Sequence, residues 1–196
     1  MHLTLKAIDT EPRPFRWTRE QYYRAADLGL FRDRRVQLID GEILEMSPQG
    51  NTHALLIPII HEVLRSAFGD GFTIRPQLPM VMGGASDPEP DLAVVRGNPR
   101  EQERHPASAV LVVEVADTSL VFDSTRKAAL YARAGIGEYW IVNLVNVCLD
   151  VFRKPAIDRR FEFGAGYEDV RSLGAEENIS ALAAPNAVIP VGDLLP

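Results

Sequence analysis

The stretch VLVVEVA, residues 110–116, constrains the fold more than any other part of the chain. A run this apolar and this rich in valine reads as a strand covered on both faces, because a strand with one wet face alternates apolar and polar residues. Strands of that kind lie inside α/β sheets, with helices packed above and below. Its one polar residue, Glu114, is then badly placed for a solvated side chain. A glutamate is almost never fully buried unless it is paired or bound to a metal. Taken alone, Glu114 is explained equally well by an internal Arg or Lys partner, by an early end to the strand, or by a functional role.

The remaining elements supply a sheet and its helices. Thr18-Arg19-Glu20-Gln21 has the spacing of a capping box and opens a short helix ending near Gly29. In VQLIDGEILEMSP (36–48), Asp40-Gly41 between apolar runs predicts a hairpin with strands at about 35–39 and 42–46. Leu56, Ile60, Val63, Leu64 and Ala67 make one stripe of a helix over 51–68, in which Pro58 predicts a kink or a late start. Strands are expected at about 72–82, 91–96 and 109–116, followed by a helix over 123–134 that ends at Gly135. EYWIVN (138–143) is a further strand. NVCLDVFRK (146–154) and RRFEFG (159–164) read as a hairpin before a loose C-terminal segment. This order gives an α/β domain with a mixed sheet, an N-terminal hairpin and additional C-terminal strands. At 196 residues, the expected organisation is a single domain over 17–196 behind an arm over 1–16.

Composition excludes several classes of function. A net charge of -6 argues against a protein that coats nucleic acid through bulk positive charge, though not against one that meets a phosphate through bound metal. The single cysteine, Cys148, rules out an intrachain disulfide and a cysteine-only zinc site, and its apolar surroundings suit a small buried hydrophobe. No apolar run approaches the roughly 18 residues of a membrane span. With no signal-peptide pattern at the N-terminus, a reducing cytoplasm is the expected compartment. Gly-x-Ser-x-Gly does not occur, and Gly83-Gly84 lacks a phosphate-loop pattern.

Asp91 changes the weight of Glu114. It follows Pro90 in EPDLAVV (89–95), a position where an aspartate often serves only as a turn or cap residue. Yet Asp91 opens one strand and Glu114 lies late in the next, and in an antiparallel pair those two ends coincide. Two converging carboxylates repel, and a divalent cation relieves the repulsion. Oxygen-only ligands suit Mg²⁺ or Mn²⁺ over zinc. Lys127 completes the set. It shares a helix face with Leu130, Tyr131 and Ala134, and therefore points toward the sheet. An i, i+4 pair with Asp123 is its simplest alternative, worth only about 0.2–0.5 kcal/mol and normally found on a solvated face. A metal-binding carboxylate pair with a nearby cation is the equipment for in-line attack on a phosphodiester.

EPDLAVV, VLVVEVADTS, Asp123, Lys127 and KAALYARAGIGEYWIVN (127–143) together resemble the Uma-type restriction endonuclease domain of the PD-(D/E)XK nuclease superfamily. VQLIDGEILEMSP and His53 are similar to that family's N-terminal portion, so the resemblance covers roughly residues 17–145. It implies the restriction-endonuclease-like fold, a mixed sheet flanked by helices with metal held at the ends of two adjacent strands. It also implies Asp91 and Glu114 as the acidic ligands of Mg²⁺ or Mn²⁺, and the Val115 backbone carbonyl as the third ligand. The superfamily's usual lysine position, two residues after the glutamate, is Ala116 here, and Lys127 takes its place from the helix. Gln37 stands where the family often carries a glutamate. DNA as substrate and a homodimer that cuts both strands are further expectations of the resemblance.

His53, on the apolar face of the first long helix, reads as a partly buried histidine satisfied by its surroundings, with a supporting role beside the metal site as the alternative. Asp123 is a second supporting candidate. Arg153/Lys154 and Arg159/Arg160 are solvated faces or, if DNA binds, its contacts. Two rivals to a DNA endonuclease remain at this level: a non-catalytic nuclease-fold module that binds nucleic acid or protein, and a phosphodiesterase acting on small nucleotides.

Overall fold

The computed structural model describes residues 12–101 and 104–196, so residues 1–11 of the expected arm lie outside the described residues. Thr18 caps α1 (Arg19–Asp27) reciprocally: its hydroxyl accepts from the Gln21 amide, and the Gln21 side chain accepts from the Thr18 amide. Two amides that a helix start otherwise leaves open are thereby satisfied. The hairpin follows, with β1 (Val36–Ile39) antiparallel to β2 (Glu42–Glu45). Asp40 and Gly41 at its turn take φ of 50° and 75°, the left-handed conformations that Asp-Gly tolerates best. This hairpin is a two-stranded sheet of its own.

Helix α2 (Asn51–Phe68) runs through Pro58 without a late start. Pro58 and Ala54, whose carbonyl loses its helical partner, both face solvent, where water replaces the missing bond. The opposite face buries Leu56, Ile57, Ile60, Leu64 and Phe68.

The main sheet has six strands in the order β3 (Phe72–Pro76), β4 (Leu92–Arg96), β5 (Leu111–Ala116), β6 (Glu138–Asn143), β7 (Cys148–Ile157) and β8 (Ala165–Leu173). Neighbours are antiparallel except β5 and β6, which are parallel. A parallel pair needs a crossover, and helix supplies it: α3 (Leu120–Phe122), a π-helical segment (Asp123–Lys127) and α4 (Ala128–Arg133). Both faces of β5 are covered, as its composition predicts. Leu111, Val113 and Val115 pack with α2 and the C-terminal residues Val191 and Leu194. Val112 and Ala116 pack with Leu130 and Tyr131 of α4 and with Met80 and Met82. Short strands β9 (Asn178–Ile179) and β10 (Ile189–Pro190) close the first core.

Several boundaries differ from expectation. β3 stops at Pro76 rather than 82, because Gln77 takes φ 48° and leads the chain out of the sheet. The crossover helix starts at Leu120, three residues before the expected 123. The second strand of the late hairpin is 165–173, not 159–164. There the chain turns instead, the Phe161 amide bonding to the Asp158 carbonyl and the Gly164 amide to that of Phe161. The Phe161 ring then lies over Gly166, where a Cβ would come within 2.4 Å of it. Among the described residues no helix is long and apolar enough to cross a membrane.

Candidate metal and catalytic site

β4 and β5 pair with Leu92 opposite Val113, so the residue before Leu92 falls beside the residue after Val113. Asp91 and Glu114 therefore meet at one end of the sheet. The Asp91 amide donates to Glu114 Oε2 at 3.3 Å, and the Val115 amide donates to Asp91 Oδ2 at 2.9 Å. Asp91 Oδ1 lies 3.0 Å from His53 Nε2, which α2 presents, and accepts from Gln77 Nε2 at 3.4 Å. Glu114 alternates with Val112 and Ala116 and so points to the face that α4 covers.

The helix answers with three groups. Lys127 is 4% exposed, and its Nζ stands 2.9 Å from Glu114 Oε1 and 3.2 Å from Asp123 Oδ1. Asp123 and Lys127 begin and end the π-helical segment and are both buried. Such segments are rare and cluster at functional sites. One turn further on, Tyr131 donates its hydroxyl to Glu114 Oε1 at 2.7 Å. Ser119 donates to Asp123 Oδ2 at 2.5 Å.

Burial and partners pull the two carboxylates apart. Burial pushes the Glu114 carboxyl up, to about 8, and the charges of Asp123 and Asp91 add to this while Lys127 opposes it. Asp91 goes the other way. Burial raises it too, but the His53 hydrogen bond and charge, the Val115 amide and the Lys127 charge outweigh that and leave it below its ordinary value. Burial pulls Lys127 down, yet the charges of Glu114 and Asp123 outweigh it and hold it above the ordinary lysine value. Lys127 is therefore held as a cation, while burial raises the Glu114 carboxyl beside it.

These residues line a cleft of about 550 Å³, with the 46–50 loop and Phe122 along its walls. Glu45, Asp91, Glu114, Asp117 and Asp123 bring carboxylates to it, against Arg126 and Lys127 as cations. An entering phosphate meets an acidic surface unless a divalent cation offsets it. Among the described residues no three His, Cys, Asp or Glu side chains gather closely enough to ligate an ion. A cation here would rest on two carboxylates with backbone and water oxygens. That donor set fits Mg²⁺, which keeps several waters and usually takes only one or two carboxylates.

Asp91, Glu114, Val115, Lys127, His53 and Asp123 thus all reach one cleft. The basic clusters expected as DNA contacts do not. Arg153 lies opposite Glu138, at the end of β6 away from the site, and its Nη2 bonds to the buried Glu138 carboxylate at 2.6 Å. Arg160 bonds to Asp158. Cys148 is half-buried rather than buried, and burial together with nearby Asp150 pushes its thiol up, away from nucleophilic use. Tyr131 was legible only as a member of the apolar stripe; its hydroxyl, where leucine or phenylalanine would serve packing alone, was the signal.

The match to the Uma2 family model, described as "Putative restriction endonuclease", spans residues 19–192. Among solved structures, the fold is similar to a crystal structure described as a putative nuclease belonging to DUF820 from Anabaena variabilis ATCC 29413. The TM-score is 0.62 at 15% sequence identity, covering 83% of this chain and 90% of that chain. At that identity the likeness is one of fold. No curated protein matches the chain. Because the family match runs nearly end to end, the chain belongs to the Uma2 family of restriction-endonuclease-type proteins.

Proposed function

We propose that the protein is a metal-dependent endonuclease that hydrolyses DNA phosphodiester bonds, using Asp91, Glu114 and Lys127. The observation that carries this reading is the approach of Lys127 to Glu114, 2.9 Å, in a cleft that Asp91 also lines. Asp91 and Glu114 hold Mg²⁺ or Mn²⁺ through their carboxylate oxygens, with the Val115 carbonyl as a third ligand. When bound, the ion supplies a water of lowered pKa and neutralises phosphate charge. His53 and the Val115 amide fix the Asp91 carboxylate, and Tyr131 fixes that of Glu114. Lys127 keeps its positive charge in a dry site, where it stabilises charge developing on the phosphoryl oxygens.

The test is plasmid cleavage in Mg²⁺ or Mn²⁺, comparing the parent with Asp91→Ala, Glu114→Ala and Lys127→Ala. Activity that survives all three changes discards the mechanism. A folded parent that neither cuts nor binds Mn²⁺ points instead to a non-catalytic nuclease-fold module. The cleft's size favours one further reading, since small-molecule sites run to roughly 300–1,000 Å³: a phosphodiesterase acting on small nucleotides with the same residues. Hydrolysis of a dinucleotide in preference to plasmid selects it. Cutting both strands of a duplex calls for two sites, so we infer a two-fold pair of subunits on DNA. Sedimentation of the full chain with duplex tests this, and a monomeric complex that still makes double-strand cuts removes it.

A further inference from the structure

Two residues of the cleft wall each carry a buried acceptor oxygen that lacks a hydrogen bond, Gln37 Oε1 and Asp123 Oδ1. Gln37 is 4% exposed and Asp123 2%. Asp123 Oδ1 has Lys127 Nζ at 3.2 Å, a charge contact without hydrogen-bond geometry, while its other oxygen is taken by Ser119. Asp87 Oδ1 is also unbonded but belongs to a different place, the Arg19 contact outside the cleft.

Leaving a buried acceptor unbonded is costly, and native proteins keep few of them without water, an ion or a functional reason. Gln37 is the sharper case. It sits in β1, every residue of which is buried, and alternates with Ile39, which packs with Ala93, Val112, Ala116 and Ala128. That is the sheet face from which Asp91 and Glu114 project. No hydrogen bond from the protein reaches Gln37 Oε1, so that oxygen gains nothing from the groups around it. A neutral amide oxygen accepts hydrogen bonds from water, and Mg²⁺ keeps several waters whose hydrogens point outward.

We propose that Gln37 Oε1, together with Asp123 Oδ1, accepts hydrogen bonds from the water shell of the divalent cation held by Asp91 and Glu114. Gln37 is thus a positioning residue for the hydrated ion. The inference rests on the cation site of the proposed function and adds a residue to it.

The experiment is Mn²⁺ calorimetry on the full chain, with melting curves in EDTA, for the parent, Gln37→Met and Gln37→Glu. Methionine keeps the size and removes the unbonded oxygen. Gln37→Met binds Mn²⁺ about 10- to 100-fold more weakly, while its metal-free melting temperature holds or rises by about 2–4 °C. Gln37→Glu restores an acceptor oxygen and adds charge, and binds at least as tightly as the parent. Parent-like affinity in Gln37→Met overturns the inference and leaves the nuclease reading standing. A metal-free melting temperature that falls in Gln37→Met in step with affinity assigns Gln37 a structural role and also overturns it. A folded parent that fails to bind Mn²⁺ removes both.

Discussion

Asp91 and Glu114 are coupled through the backbone: the Asp91 amide donates to Glu114 Oε2 at 3.3 Å, and the amide following Glu114, that of Val115, donates to Asp91 Oδ2 at 2.9 Å. Two carboxylates held this close repel when both are ionised. The site resolves this by dividing the labour. Donors around Asp91 hold it below its ordinary value, and burial raises Glu114 to about 8.

Asp91→Asn and Asp91→Ala separate ligation from folding. Asparagine keeps an oxygen for the Val115 amide, so its melting temperature in EDTA stays near the parent's, while Mn²⁺ affinity falls by at least about 100-fold. Alanine loses the metal as well and leaves a buried amide unbonded, costing about 1–3 kcal/mol. Equal melting temperatures for the two variants would show that the Val115 bond contributes nothing.

His53 orients Asp91 from α2, with Nε2 at 3.0 Å from Oδ1. A group acting through a ligand changes affinity by about 10- to 100-fold when removed. His53→Ala therefore weakens Mn²⁺ binding by about tenfold, and His53→Gln, which keeps a donor, recovers part of it. Calorimetry on the three proteins checks the order, and indistinguishable affinities would return His53 to a purely packing role.

The meeting of Asp91 and Glu114 was legible because strand ends are marked in sequence: Pro90 before one, an apolar run around the other. Antiparallel pairing then does the rest. The inward Lys127 was legible from its phase with Leu130 and Tyr131. What periodicity does not carry is a change of helix type, so the π-helical form of Asp123–Lys127 left no trace, although the i, i+4 pairing of its two ends did. Nor does it carry contacts between distant elements, and His53 on Asp91 and Gln37 in the cleft wall depend on where α2 and the hairpin dock. RRFEFG misled for a related reason. Its alternation is that of a strand, but Asp158 and Gly164 close a turn around it.

Tyr131 bonds to a buried carboxylate, and such bonds contribute about 1.5–3 kcal/mol. Tyr131→Phe removes the hydroxyl and leaves the ring packed against Tyr139. Stability falls by about that amount above pH 8, where Glu114 is ionised, as denaturant titration would register. A change below about 0.5 kcal/mol would mean that Lys127 alone satisfies Glu114 Oε1.

The raised carboxyl of Glu114 fixes the sign of a pH effect. Its folded value, about 8, lies above the ordinary 4.5, so the folded state holds the proton more tightly. The stability this confers is full below pH 4.5 and is lost as pH rises toward 8, with a slope of at most about 1.4 kcal/mol per pH unit. Asp91, shifted down, acts only below its ordinary 3.8 and does not enter this window. Measured in EDTA, the parent should lose stability relative to Glu114→Gln between pH 5 and 8. A difference that is flat or grows with pH contradicts the assignment.

Lys127 carries the last prediction. Methionine in its place leaves Glu114 and Asp123 facing each other in a dry site with no cation between them. Breaking a buried pair from one side costs about 3–5 kcal/mol, whereas replacing both partners by neutral groups of similar size costs far less. Lys127→Met should therefore be destabilised by that amount at pH 8. It should be hurt less at pH 6, where Glu114 holds its own proton. In the double variant Glu114→Gln/Lys127→Met most of the loss returns, giving a coupling of more than about 1 kcal/mol in the double-mutant cycle. Cleavage is absent from both single variants and the double variant at either pH, because restored packing does not restore the charge. Additive losses in the cycle, or a Lys127→Met penalty that ignores pH, would mean that the ammonium and the carboxylate do not stabilise one another.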